Sequence, residues 1–114
     1  MDNEVGAAGS TGRGEANLYG LCSFLVVEEM RRGAAPKDAG MAALRRIRAN
    51  TIEKRLLNSR GTPNFGIDFF VVNKNGQHAG VTMYGGPNET YSYCDENGPK
   101  TVPLEPLLEG KAKD

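Results

Sequence analysis

The chain has 114 residues, with 14 Lys plus Arg against 14 Asp plus Glu, 15 Gly, two Cys, one His and no Trp. That length holds one domain at most, since domains usually run to about 100–150 residues, and a formal charge of zero removes the long-range basic field of a general nucleic-acid binder. The longest mostly apolar stretch, Leu18 to Val27, is interrupted by Gly20 and Ser23 and falls short of the roughly 20 residues that span a bilayer, so no membrane anchor is expected. The opening Met1-Asp2-Asn3-Glu4 is acidic with no apolar run behind it, unlike a secretory signal, and the compartment stays open. Cys22 and Cys94 are too few for a disulfide framework and too far apart for a metal clip, so both are read as small packed thiols.

In chain order, Glu4 to Thr11 is a run of small residues around Val5, where glycines mark close approach or unusual backbone angles. After Gly12-Arg13-Gly14 an apolar pattern lasts to Met30. Leu18, Leu21, Cys22 and Leu25 form one stripe, and Tyr19, Val26, Val27 and Met30 widen it, which predicts one helix buried on more than one side. Arg31-Arg32-Gly33 ends it, with cations on the negative helix end and a glycine for the cap. Pro36 suits the first turn of a second helix, in which Ala39, Ala42, Ala43 and Ile47 make a small-residue face and which is expected to run on through Ile52 and Leu56. Asn58 to Asn64 breaks it.

From Phe65 the period changes to two. Gly66 to Asn73 reads as a strand, Lys74-Asn75-Gly76 as a hairpin turn, His78 to Tyr84 as the returning strand and Thr90 to Cys94 as a third. The expected architecture is α+β, two helices followed by an antiparallel hairpin or meander. Residues 1–94 form the domain and residues 95–114, rich in Pro, Gly and charge, a loop and flexible tail. Ile67, Phe69 and Val71 lie on one strand face, and Phe70 and Val72 on the other, so this strand needs cover on both sides. Two helices provide one layer; the other must come from residues outside this set or from another chain, or else the face dimerises or aggregates.

One segment has the makings of chemistry. Gly6 to Glu15 joins a small-residue strand to a helix start, where free N–H groups favour an anion. The phosphate-loop pattern fails for want of its Lys, and a dinucleotide fingerprint from Gly12 would need glycine where Asn17 stands. A small oxyanion or carboxylate fits better, with Thr11 donating its hydroxyl, Gly12 its N–H, and Arg13 a cation if it turns inward. The competing structural reading has Thr11 capping the helix and Glu15 completing a turn.

Gly6-Ala7-Ala8-Gly9-Ser10-Thr11-Gly12-Arg13-Gly14-Glu15, with the helix end Val27-Glu28-Glu29-Met30-Arg31-Arg32-Gly33 and Pro36 and Ala39 behind it, resembles the C-terminal part of the glycosylasparaginase β-chain. That N-terminal-nucleophile hydrolase family also contains isoaspartyl peptidases and plant-type asparaginases. The resemblance is clear over the first two-thirds of the chain and extends in pattern to the hairpin Ile67 to Met83.

The resemblance implies a four-layer αββα sandwich of which these residues are a part. It also implies hydrolysis of the β-amide of aspartate, as in an N-glycosyl-asparagine or another β-aspartyl compound, with no metal or organic cofactor. Thr11 and Gly12 match the Thr-Gly pair that holds the oxyanion. The family's nucleophile, a threonine freed by self-cleavage, has no counterpart here; Thr51-Ile52 after Asn50 imitates the cleavage site only within or at the end of a helix. The Arg and Asp that hold the substrate's amino-acid end precede the glycine-rich strand. The expected partner is therefore the missing N-terminal part of the same precursor, in a homo- or hetero-oligomer, and the chain alone is expected to be inactive. The isoaspartyl peptidase or asparaginase branch, or a non-catalytic dimerisation module, are the alternatives.

Other residues read as structural. His78 is a rim histidine. Arg45, Arg46, Arg48, Lys54, Arg55 and Arg60 spread over a solvated face without interleaved aromatics, which does not suggest RNA. Asn88-Glu89-Thr90 is a glycosylation sequon that matters only in a secreted protein, and Asp95-Glu96 is a turn.

Overall fold

In the computed structural model, which describes residues 1–113, a small-residue strand leads into a layer of helices and the chain then returns through the sheet those helices cover. The elements are β1 (Gly6–Gly12), α1 (Gly14–Gly20), α2 (Cys22–Arg31), α3 (Pro36–Asn50), a 3-10 turn (Lys54–Leu56), β2 (Ile67–Asn73), β3 (His78–Tyr84), β4 (Thr90–Asp95), β5 (Gly98–Pro103) and β6 (Glu105–Leu108). The α+β class holds. One sheet has the order β1-β2-β3-β6, antiparallel except for the parallel β3–β6 pair, and β4 and β5 form a separate two-stranded hairpin.

The helices lie on one face of the larger sheet. Proline's missing N–H costs nothing at the start of α3, and Asp38 in the first turn and Arg48 in the last complement the helix dipole. Its Ala39, Gly40, Ala43, Leu44 and Ile47 are buried. A side chain at Gly40 would have its Cβ 2.7 Å from Val81 Cγ2, so glycine here is what lets α3 sit directly on β3. Beneath it Ile67, Phe69, Val81 and Met83 are at most 1% exposed.

The expected single helix from Leu18 to Met30 is two. Leu21 takes a left-handed conformation (φ 47°) between α1 and α2, after Gly20, whose residue type favours helix least apart from proline. A Cβ at Gly20 would also lie 2.8 Å from Cys22 Sγ. The kink turns Leu18, Tyr19, Leu21 and Phe24 outward, 66–72% exposed, while Cys22, Val26, Val27 and Met30 pack inward. The predicted stripe is therefore split between core and solvent. The Arg31-Arg32-Gly33 ending is as expected, with Gly33 and Ala34 donating to the Met30 and Glu29 carbonyls at 3.0 and 3.1 Å.

Two further expectations are corrected. The second helix stops at Asn50, and Thr51 closes it by donating its hydroxyl to the Ile47 carbonyl at 2.6 Å; Ile52 is exposed and Leu56 is buried from the 3-10 turn. The segment expected as loop and tail carries β5 and β6. Residues 98–103 pair with β4 around the Asp95–Gly98 turn, and Leu104 is buried over Gly80, so backbone pairing orders a stretch whose composition suggested none. The β2–β3 hairpin turns at Asn75-Gly76 as predicted, with Asn73 Oδ1 accepting from the Asn75 and Gln77 N–H groups at 3.0 Å each. Cys22 is buried and burial pushes its thiol up; Cys94 is exposed, not packed. Among the described residues no helix is long and apolar enough to cross a membrane.

Candidate functional site

The strand register decides which residues stand beside Thr11. It pairs Thr11 with Asp68 across β1–β2 and Asp68 with Thr82 across β2–β3. Side chains alternate along a strand, and Ile67, Phe69 and Val71 point to the helices. Thr11, Asp68 and Thr82 therefore form one polar row on the opposite face, along which Thr11 is exposed, Asp68 half-buried and Thr82 buried. The neighbouring rows, Gly9–Phe70–Gly80 and Ala7–Val72–His78, are mostly apolar.

Gly12 closes β1. Its φ is 128°, and a Cβ there would lie 2.4 Å from the Gly66 carbonyl oxygen and 2.7 Å from Ile67 Cα, so no side chain fits. The next residue, Arg13, donates its N–H to the same Gly66 carbonyl at 3.3 Å. N–H groups of a strand point alternately to its two sides, so the Gly12 N–H is directed to the open edge of β1, which is an edge strand of its sheet. Thr11 and Gly12 line one groove with Asp68, Thr82, Tyr84 and Lys111. Thr11 is exposed, so hydroxyl and N–H are both available beside this groove.

The capping alternative for Thr11 is excluded by geometry. The cap position of α1 is Arg13, and no side chain caps that helix. Glu15 instead pairs with Arg13 at 3.6 Å and Arg55 at 3.3 Å, and a backbone N–H bond and the Arg55 guanidinium hold its carboxyl below the usual range. Arg13 is committed to Glu15 and to the Phe65 ring, whose centroid is 5.5 Å away. Asn17 Nδ2 donates to Ser10 Oγ at 2.6 Å and fixes α1 against β1.

Asp68 and Thr82 escape motif reading, because nothing in the Thr11 segment points to a strand 57 positions later. The available signal was a lone carboxylate, Asp68, between the apolar Ile67 and Phe69. Thr82 is 1% exposed and donates its hydroxyl to the Tyr84 carbonyl at 3.2 Å; Tyr84 in turn donates to Pro63 O at 2.7 Å. Asp68 is half-buried and makes no hydrogen bond or ion pair among the described residues. His78 is at the rim as expected, its Nδ1 2.9 Å from Tyr91 Oη, and the tyrosines of β4 cover part of the open face, Tyr91 lying over Gly80. Thr51 is held at the end of α3 and takes no part in the groove. Among the described residues no three His, Cys, Asp or Glu converge as a metal site.

No family model matches the chain. A protein of Arabidopsis thaliana named probable isoaspartyl peptidase/L-asparaginase 3 is 36% identical over 96 residues, 84% of this chain and 23% of that protein. The N(4)-(beta-N-acetylglucosaminyl)-L-asparaginase of Elizabethkingia miricola is 32% identical over 100 residues, 86% of this chain and 27% of its own length. The chain belongs to the asparaginase family. A putative N(4)-(beta-N-acetylglucosaminyl)-L-asparaginase of Drosophila yakuba adds a segment of 46 residues at 54% identity, 40% of this chain. The chain spans about a quarter of the length of the first two asparaginase-family relatives.

Proposed function

We propose that this chain is the oxyanion-binding part of an amidohydrolase that cleaves the β-amide of aspartate derivatives, within an αββα N-terminal-nucleophile fold. The observation that carries the reading is the end of β1. There an exposed Thr11 hydroxyl and a Gly12 N–H aimed at a free strand edge stand at the mouth of one groove, in a position where glycine is sterically required. Preorganised donors of this kind stabilise the charge that develops on a carbonyl oxygen as it becomes tetrahedral.

The nucleophile in this reading is a threonine outside these 114 residues. Its hydroxyl oxygen adds to the amide carbon and its proton passes to the threonine's own α-amine. The oxygen of the tetrahedral intermediate accepts from Thr11 Oγ1 and the Gly12 N–H. Collapse expels the amine with that proton and leaves an ester, which water cleaves to aspartate and free threonine. The sheet face bearing Phe70 and Val72, 36% and 42% exposed, is the face on which the sandwich's second sheet would pack. Both names carried by the relatives, glycosyl-asparaginase and isoaspartyl peptidase, describe this reaction class with different leaving groups.

Thr11→Val, in the enzyme assembled from this chain and the preceding part of its precursor, is expected to lower kcat on a β-aspartyl amide about 100- to 1000-fold, with KM little changed. Unchanged kcat would remove Thr11 from the oxyanion site. The 114-residue chain by itself is expected to show no hydrolysis above background; turnover by it would place the nucleophile inside the chain. Comparing a glycosyl-asparagine, a β-aspartyl dipeptide and asparagine as substrates of the assembled enzyme assigns the leaving group.

A further inference from the structure

The groove at the end of β1 is walled by a segment from far along the chain. Gly110, Lys111 and Ala112 line it together with Thr11 and Gly12, and Ala112 also lines a second hollow beside Gly12, Arg13 and Phe65. Residues 110–113 therefore cross the end of the sheet where Gly12 lies against the Gly66 carbonyl. They belong to no strand, Gly110 turns them away after β6 with a φ of 84°, and Ala112 alone of the four is partly buried. Two donors hold them. Asn58 Nδ2 donates to the Ala112 carbonyl at 3.0 Å, and the Arg60 guanidinium donates to the Lys111 carbonyl. Asn58 Oδ1 meanwhile accepts from the Arg60 N–H, the Thr62 N–H and the Thr62 hydroxyl at 3.0–3.1 Å. Three donors on one side and a carbonyl on the other fix which atom of the amide is which. The loop that carries Asn58 is itself firmly seated, since Tyr84 Oη donates to Pro63 O at 2.7 Å and Pro63 is fully buried. A rigid loop thus holds a lightly packed segment across the groove.

We infer that residues 110–113 are a strap that closes one side of the groove at Thr11 and Gly12, and that Asn58 is the positioning residue that sets it there. The inference rests on the oxyanion reading of the Thr11–Gly12 pair. Hydrogen bonds such as those from Asn58 and Arg60 are individually weak on balance, so the strap lifts, pivoting at Gly110, to admit a substrate and then settles against it. It supplies no group to the reaction. Its contact with the bound amide is the same before and during the chemistry, so its loss falls on KM rather than on kcat.

Asn58→Asp tests this, because it keeps the oxygen that shapes the loop and replaces the donor to Ala112 by a second oxygen. In the 15N-labelled 114-residue chain, the heteronuclear NOE at residues 111–113 is expected to fall and the Gly12 and Gly66 amides to shift. Thr62 and Tyr84 should keep their wild-type protection from hydrogen exchange. In the enzyme assembled from this chain and the preceding part of its precursor, KM for a β-aspartyl amide is expected to rise about 2- to 10-fold, the worth of one hydrogen bond, with kcat little changed. A chain ended after Glu109 is expected to show at least the same rise, and it removes the tie from Arg60 as well. A strap as well ordered in Asn58→Asp as in the wild type would overturn the role of Asn58. Unchanged KM in the shortened chain, or a fall confined to kcat, would overturn that of the strap. Thr11→Val tells this apart from the underlying reading. Unchanged kcat in Thr11→Val removes the oxyanion site, whereas unchanged KM in the shortened chain, with Thr11→Val still slow, removes the strap alone.

Discussion

The two faces of β2 carry nearly the same chemistry and meet opposite fates. Ile67, Phe69 and Val71 are at most 3% exposed beneath α2 and α3, whereas Phe70 and Val72, interleaved with them, are 36% and 42% exposed on the side that Tyr91 and Leu104 partly cover. An apolar strand face left this open is the kind of surface on which interaction sites are found. It is also the face that carries the candidate residue Thr11 and its cross-strand neighbour Asp68.

The contrast is strongest in the adjacent phenylalanines. Phe69→Ala removes a side chain with no exposed surface and is expected to cost about 3–5 kcal/mol, seen as a large shift of the denaturant midpoint. Phe70→Ala is expected to cost about 1 kcal/mol or less, because its ring keeps water on one side and touches mainly Tyr91 at a centroid distance of 6.4 Å. Equal costs would mean that the open face is covered in solution. If the proposed second sheet packs on this face, the cost of Phe70→Ala should rise when the rest of the proposed enzyme is present.

Apolar side chains on both faces of β2 were legible in the sequence, as were the Arg31-Arg32-Gly33 helix end, the proline start of α3 and the Asn75-Gly76 turn, because each depends on a local rule of backbone geometry. What stayed hidden depends on distant partners. The break at Leu21, where the backbone turns left-handed after Gly20, is not recorded in the periodicity of residues 18–30. β5 and β6 lack the alternating apolar pattern of a buried strand, as their burial shows, and owe their order to pairing with β4 and β3. Thr11 and Gly12 were legible as candidates. The register that sets Asp68 beside them was not, since one residue of slip would have put Asp68 among the helices.

Within the helical layer the same contrast recurs at Leu21. Its side chain is 67% exposed and packs little, while its backbone sits where a leucine costs about 1–2 kcal/mol relative to right-handed backbone. Leu21→Gly removes that penalty and gives up only the modest packing, so the expected net effect is stabilisation by about 1 kcal/mol, read as a higher midpoint. Loss of stability instead would show that the apolar contacts of Leu21 outweigh the strain of its backbone.

The smallest effect expected concerns Glu15, which links Arg13 beside the Thr11–Gly12 end of β1 to Arg55 beyond α3. A backbone N–H bond and the Arg55 and Arg13 guanidinium groups hold its carboxyl below the ordinary value of 4.5. A group whose folded value is depressed stabilises the fold above its unfolded value and loses that contribution as pH falls through the folded one. The stability of the wild type should therefore decline slightly more steeply below about pH 4.5 than that of Glu15→Gln, with the two curves parallel above it, and the gap should shrink in salt because both partners are solvent-exposed. Parallel curves throughout would mean that the Glu15 link is open in solution, leaving the Asn17–Ser10 hydrogen bond as the tie between α1 and the end of β1.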